Sequence, residues 1–159
     1  MSILLIFIAA NLVAASSGAI FKPGAWYETL AKPWWRPPNW LFAPAWMVLY
    51  LLNAIAGSRV YEAASPEALP KLMGLYGLSL VFNAAWSGFF FGLKRPDWAF
   101  AELILLWLSL LAQIISFAQV DETAAWLNAP YLAWVSFAGV LNFAMWRLNR
   151  ERIVAGPSL

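Results

Sequence analysis

Apolar residues in this chain gather in five long blocks rather than in short periodic stripes. The blocks lie at about Ile3–Phe21, Trp40–Ser58, Leu72–Leu93, Trp98–Val120 and Ala124–Trp146. Each is roughly 19–23 residues long, and about 20 residues of helix cross a hydrocarbon layer about 30 Å thick. None shows the polar–apolar alternation of a barrel strand, and only helices or closed barrels satisfy the backbone in lipid. The pattern predicts an all-α membrane protein: one bundle of five transmembrane helices, forming a single domain over residues 1–159. The connectors "KRPD" and "DET" are short enough to force their flanking helices to lie side by side and antiparallel. "RVYEAASPEALPK" joins the second and third blocks, and "RLNRERIVAGPSL" is a polar tail.

Composition agrees with this pattern and excludes several chemistries. Of 159 residues, 63% are hydrophobic and 11% charged, where a soluble domain has about a quarter charged. There is no cysteine and no histidine. A disulfide framework, a thiol nucleophile, the commonest general base and the usual proximal haem ligand are thereby missing. No phosphate-binding loop, dinucleotide fingerprint, Ser/His/Asp set or metal-ligand cluster occurs, so neither a conventional hydrolase nor a metalloenzyme is expected, and no cofactor is required. A net charge of +2, thinly scattered, gives nucleic acid nothing to hold.

The cations also orient the chain. Arg59 and Lys71 fall on the side of the N-terminus, whereas Lys22, Lys32, Arg36, Lys94, Arg95, Arg147, Arg150 and Arg152 fall on the other. In a plasma membrane the positive-inside rule places the N-terminus outside and the C-terminus in the cytoplasm. An outer membrane would lack the premise of that rule. The first block ends in small residues, as a signal peptide does, but has no basic n-region. Its Ala10, Ala14 and Gly18 recur every fourth residue, which suits close packing of a retained helix.

The first connector runs into the second block as "KPWWRPPNWLFAPAW", with four tryptophans, four prolines and two cations. Interfacial anchoring needs only one or two tryptophans at a helix end. Prolines also stiffen the connector, and this predicts a lid over the mouth of the bundle. Below it, Trp46, Tyr50 and Asn53 share one helical face; Asn83 and Trp86 lie three apart; Trp134, Ala138 and Asn142 follow "PYLAW" at four-residue steps. With Trp35 these faces could enclose a large, flat, mostly apolar ligand with polar edges, or could equally be interhelical packing joined by amides. Glu102, four residues after Trp98, is a carboxylate inside a span, either a pocket wall or a shallow partner of Lys94 or Arg95. Ala84, Gly88 and Gly92 form a small-residue ladder for another helix, in this bundle or in a second copy.

The stretches "WYETLAKPWWRPPNWLFAPAWMVLY", "FNAAWSGFFFG" and "APYLAWVSFAGVLNFAMWRLN" resemble the tryptophan-rich sensory protein / translocator protein family (TspO/MBR) across all five blocks. The resemblance implies a pocket opening toward the first connector and porphyrins such as protoporphyrin IX or haem as ligands. Sterols and isoquinoline carboxamides are further ligands of the family. It assigns Trp46 and Trp134 as pocket tryptophans, Asn83 as a pocket amide, Ala138 as a position that alters ligand binding, and Trp98, Ala101 and Glu102 as the fourth-helix wall. It implies a homodimer through the third span, matching Gly88 and Gly92. The sterol pattern of animal members is incomplete here, with Phe143 where they have tyrosine, and this favours a tetrapyrrole. Three activities are consistent with the resemblance. One is a membrane receptor or sensor for porphyrins. Another is a light-dependent porphyrin-degrading enzyme with Trp46 and Trp134 as candidate catalytic residues. The third is a tetrapyrrole or sterol transporter, although no internal repeat supports it.

Overall fold

A computed structural model describes residues 2–154. Its helices are α1 (Ile3–Ile20), α2 (Ala25–Thr29), α3 (Asn39–Ala63), α4 (Leu69–Ser87), α5 (Pro96–Ala118), α6 (Glu122–Leu148) and α7 (Arg150–Val154), and there is no strand among the described residues. After Ser87, α4 continues as a π-helical segment over Gly88–Gly92. Five of these helices are long and apolar enough to cross a membrane: Ile3–Ile20, Asn39–Ala63, Leu69–Gly92, Pro96–Ala118 and Glu122–Leu148.

The spans sit where the apolar blocks predict them, and the largest difference is at the end of α3. That helix runs past Ser58 to Ala63, carrying Arg59 and Glu62 beyond the apolar block. Hydropathy marks where lipid ends, whereas a helix ends only where its backbone is interrupted. Arg59 Nε donates to Asp121 Oδ2 at 2.8 Å. Asp121 in turn caps α6, accepting from the Ala124 N–H at 3.1 Å. At the opposite end the tight α4–α5 connector turns through Lys94, whose φ is 56°.

The spans pack as a closed ring in the order α1, α3, α6, α5, α4 and back to α1. Neighbours run antiparallel except α1 and α4, because an odd ring must contain one parallel pair. The half of the ring away from the first connector is solid. Phe7, Ala54, Val60, Leu72, Tyr76 and Phe117 are buried there around the small residues of α3. A Cβ at Gly57 would lie 2.6 Å from both the Phe7 and Tyr76 rings, so only glycine lets α1 and α4 approach α3 this closely. Four helices are also tied by side-chain hydrogen bonds. Asn11 Nδ2 donates to the Phe7 carbonyl at 2.8 Å and to Tyr76 Oη at 2.5 Å. Asn53 Nδ2 donates to Asn11 Oδ1 at 3.0 Å, Gln113 Nε2 to Asn53 Oδ1 at 3.1 Å, and Ser79 Oγ to Gln113 Oε1 at 2.8 Å.

The small-residue ladder of α4 is used inside the chain. Ala84 packs against the core that α1 shares. A Cβ on Gly88 or Gly92 would meet the Phe21 ring, at 3.7 Å and 2.9 Å respectively. These glycines therefore receive the end of α1, whereas the sequence offered them to a second copy as well. The lipid-facing ridge of α4 carries Gly74, Leu78 and Val81 instead.

Gly57→Ala should destabilise the bundle by about 1–3 kcal/mol, the usual penalty for overpacking a tight core. Gly74→Ala, with nothing within 4 Å of its added Cβ, should be neutral or stabilising by up to about 1 kcal/mol through helix propensity alone. Thermal unfolding in detergent compares the two; equal midpoints would remove the argument for close approach at Gly57.

Candidate functional site

The other half of the ring encloses a cavity of about 510 Å³, within the range of about 300–1,000 Å³ common for ligand sites. Every span contributes to it, and Pro23, Tyr27 and Asn39 close it at the connector end. Aromatic rings make most of the wall. Trp46 stacks on Tyr50, one helical turn along the same face, at 5.5 Å and 29°. Trp46 meets Trp134 edge-on at 6.4 Å and 82°. Phe42 meets Trp134 at 5.9 Å and 73°.

The floor is polar and internally paired. Tyr50 Oη donates to Asn83 Oδ1 at 2.5 Å, and Asn83 Nδ2 donates to Tyr131 Oη at 2.6 Å. On the side wall Trp86 Nε1 donates to Asn142 Oδ1 at 3.0 Å, and Asn142 Nδ2 donates to the Pro96 carbonyl at 2.7 Å. Both amides thus have donor and acceptor engaged within the bundle. Trp134 differs: its Nε1 is buried and has no partner. A buried indole N–H without an acceptor is a standing penalty of about 1–3 kcal/mol.

The connector forms a folded cap. Tyr27 of α2 and the following Leu30 are buried against Phe90, Leu141 and Met145. Trp35 packs edge-on against Phe137 of α6 at 6.0 Å. Arg36 donates to Tyr27 Oη at 3.2 Å and also to Asn39 Oδ1, and Lys32 Nζ lies 4.7 Å from the centre of the Tyr27 ring. Asn149, just beyond α6, holds the cap by both backbone groups of one residue: it accepts the Ala31 N–H and donates to the Ala31 carbonyl, each at 2.9 Å. Trp34 and Trp40 point outward, 95% and 71% exposed.

Of the residues nominated from sequence, Trp46, Tyr50, Asn83, Trp86, Trp134, Ala138 and Asn142 line the cavity. Trp35 anchors the cap beside it. Asn53 shares the helical face of Trp46 but lies one turn below the floor, fully buried in the amide network. The α5 wall is Leu103 and Leu106 rather than Trp98, Ala101 and Glu102. Each helical position turns about 100°, so a shift of one residue moves a side chain to a different neighbour. Trp98 is half exposed with the Arg95 guanidinium 4.7 Å from its ring centre, and Ala101 is exposed. Glu102 is buried, neither of its oxygens has a partner, and Arg95 pairs with Asp97 instead. Tyr131, Phe42 and Asn149 were not nominated. The first two share faces with Trp134 and Trp46, a signal the spacing contained; Asn149 had none.

Residues 2–147 match the sequence model of the TspO/MBR family. The chain is 43% identical to Protein CrtK of Rhodobacter capsulatus over 145 residues, 91% of each chain. It is 41% identical to the tryptophan-rich sensory protein of Cereibacter sphaeroides over 151 residues, 95% of this chain and 94% of that one. It is 40% identical to the translocator protein of Bos taurus over 130 residues, 80% and 76% of the two chains.

Asn149→Ala would leave the Ala31 N–H and carbonyl without their partner. At about 0.5–1.5 kcal/mol per hydrogen bond, opening of the cap should become roughly tenfold more frequent or better. Hydrogen–deuterium exchange at the Tyr27 and Leu30 amides, which are bonded within the cap, reports that opening. Exchange no faster than in the parent would show that Asn149 is not what holds the cap.

Proposed function

The chain belongs to the TspO/MBR family, and from that premise we propose that it is a membrane receptor or sensor that binds porphyrins, protoporphyrin IX or haem, in the cavity beneath the cap. The observation that carries this reading is the pair Trp46 and Trp134, in edge-on contact nearly at right angles in the cavity wall. A flat macrocycle stacked on one indole presents its edge to the other. It gains face contact from the first ring and edge contact from the second. Its carboxylates then lie toward the connector, where Lys32 and Arg36 stand. Sterols and isoquinoline carboxamides share the apolar requirement; a saturated sterol gains less from indole faces.

A second reading draws on the contacts among the same rings. Trp134, Trp46 and Tyr50 touch in series, an arrangement suited to passing an electron away from or toward a photoexcited porphyrin. In that reading the protein oxidises bound porphyrin in light with dioxygen as the electron acceptor.

Trp46→Ala and Trp134→Ala should each weaken protoporphyrin IX binding at least about tenfold, equivalent to ~1.4 kcal/mol. Trp134→Phe keeps a ring but no donor and should fall between parent and alanine variant. Trp34→Ala, altering a ring outside the cavity, should stay within about twofold of the parent. Titration by tryptophan quenching measures all four, and equal losses everywhere would reduce the cavity to general aromatic stickiness.

Illumination separates the two readings. A receptor returns protoporphyrin IX unchanged after light in air, while an enzyme converts it to a new pigment at a rate that drops in Trp134→Phe more than binding does. Absorbance spectra of the complex before and after light decide between them.

A further inference from the structure

The cavity has a second boundary, on the bilayer side. Between α5 and α6 a groove of about 420 Å³ opens on the outer face of the bundle, lined by apolar side chains and Ser136. Leu103 and Val135 line both this groove and the inner cavity. They are only 5% and 1% exposed, yet each faces a void on either side. At this level the wall between lipid and cavity is one side chain thick. Gly139 lies opposite, where an added Cβ would meet Leu103 Cδ2 at 3.2 Å. Leu103 thus packs directly on the α6 backbone at this position.

Hydrogen bonds tie the seam on both sides of this thin point. Trp107 Nε1 donates to Ser136 Oγ at 2.8 Å, and Asn142 Nδ2 donates to the Pro96 carbonyl at 2.7 Å. From Ser136 to Asn142 is about 9 Å along α6 at 1.5 Å per residue. That opening would admit an alkyl chain or the edge of a flat ring. At the connector end, by contrast, the cap is held by Asn149, by Trp35 on Phe137 and by buried Tyr27 and Leu30. An apolar solute is also concentrated in the bilayer rather than in water.

We propose that the α5–α6 groove is the bilayer half of the ligand site, and that apolar ligands pass between lipid and cavity through the Leu103/Val135 wall. The proposal rests on reading the cavity as a site for an apolar ligand. Its test does not require a porphyrin.

The chain has no cysteine, so Ala138→Cys places a single thiol in the cavity wall. In phosphatidylcholine nanodiscs, N-dodecylmaleimide reaches that thiol from the bilayer. Adding Val140→Trp, on the lipid-exposed rim of the groove, should slow its modification at least about tenfold. Ser136→Ala, which removes a tie of the seam, should speed it. Val13→Cys on the lipid face of α1 controls for reagent partitioning and should be indifferent to Val140→Trp. Equal rates with and without Val140→Trp would overturn the proposal. So would an Ala138→Cys thiol that is never modified, or one whose rate responds to Asn149→Ala alone. Protoporphyrin IX titration of the parent chain keeps the two ideas apart: no binding there rejects the porphyrin reading, whereas the labelling rates judge the wall.

Discussion

In hydrocarbon, a polar side chain finds its partner inside the protein or goes without one, and the arrangement of this bundle follows from where its few polar groups do so. Asn11, Asn53, Ser79 and Gln113 come from four different helices and satisfy one another in a single chain of hydrogen bonds. That chain requires α1, α3, α4 and α5 to meet at one depth, and Gly57 supplies the close approach that lets them. Apolar contact alone would not specify this arrangement, since lipid tails are as apolar as leucine. The amides fix which helix meets which, and the small residues fix how near.

A solid half permits a hollow one. Once the ring is closed at one end, the helices need not touch across the centre at the other, and large rings brace the gap from the walls. Asn83 and Asn142 extend the logic of pairing into the cavity, tying Tyr50, Tyr131 and Trp86 into place. Three buried side chains nevertheless have polar atoms without partners among the described residues: Glu102, Asn128 and Trp134. Only Trp134 among them lines the cavity.

The spans, their connectors and the aromatic faces of α3 and α6 were legible because they depend on local sequence: apolar length, turn length and the helical repeat. What was not legible depends on depth and rotation. Asn53 lies on the right face but too deep, because spacing along a helix does not say where a cavity ends. Glu102 was misplaced by a single residue of rotation, since α5 is apolar on nearly all sides and its pattern does not mark which side faces inward. Gly88 and Gly92 gave a motif that fits either a neighbouring helix or a second copy, and Phe21, just past the end of α1, packs on it. Asn149 lies 118 residues from the peptide it holds, a pairing that no local signal encodes.

The cap and the α5–α6 wall are closed by different means. Around the cap, hydrogen bonds and buried rings act together: Asn149 on Ala31, Arg36 on Tyr27, Trp35 on Phe137. Opening it exposes apolar surface and breaks several bonds at once. At Leu103 and Val135 the closure is side-chain packing beside a glycine, and a rotamer change there breaks no hydrogen bond. Side-chain rotation is far faster than opening a segment tied at several points. With water on one side and lipid on the other, an apolar ligand encounters the weaker barrier from the medium in which it is already dissolved. The prolines and tryptophans of the connector then serve to keep water out and hold the rings beneath them in place, while the exchange of ligand falls to the α5–α6 side of the bundle, where Leu103 and Val135 close the wall.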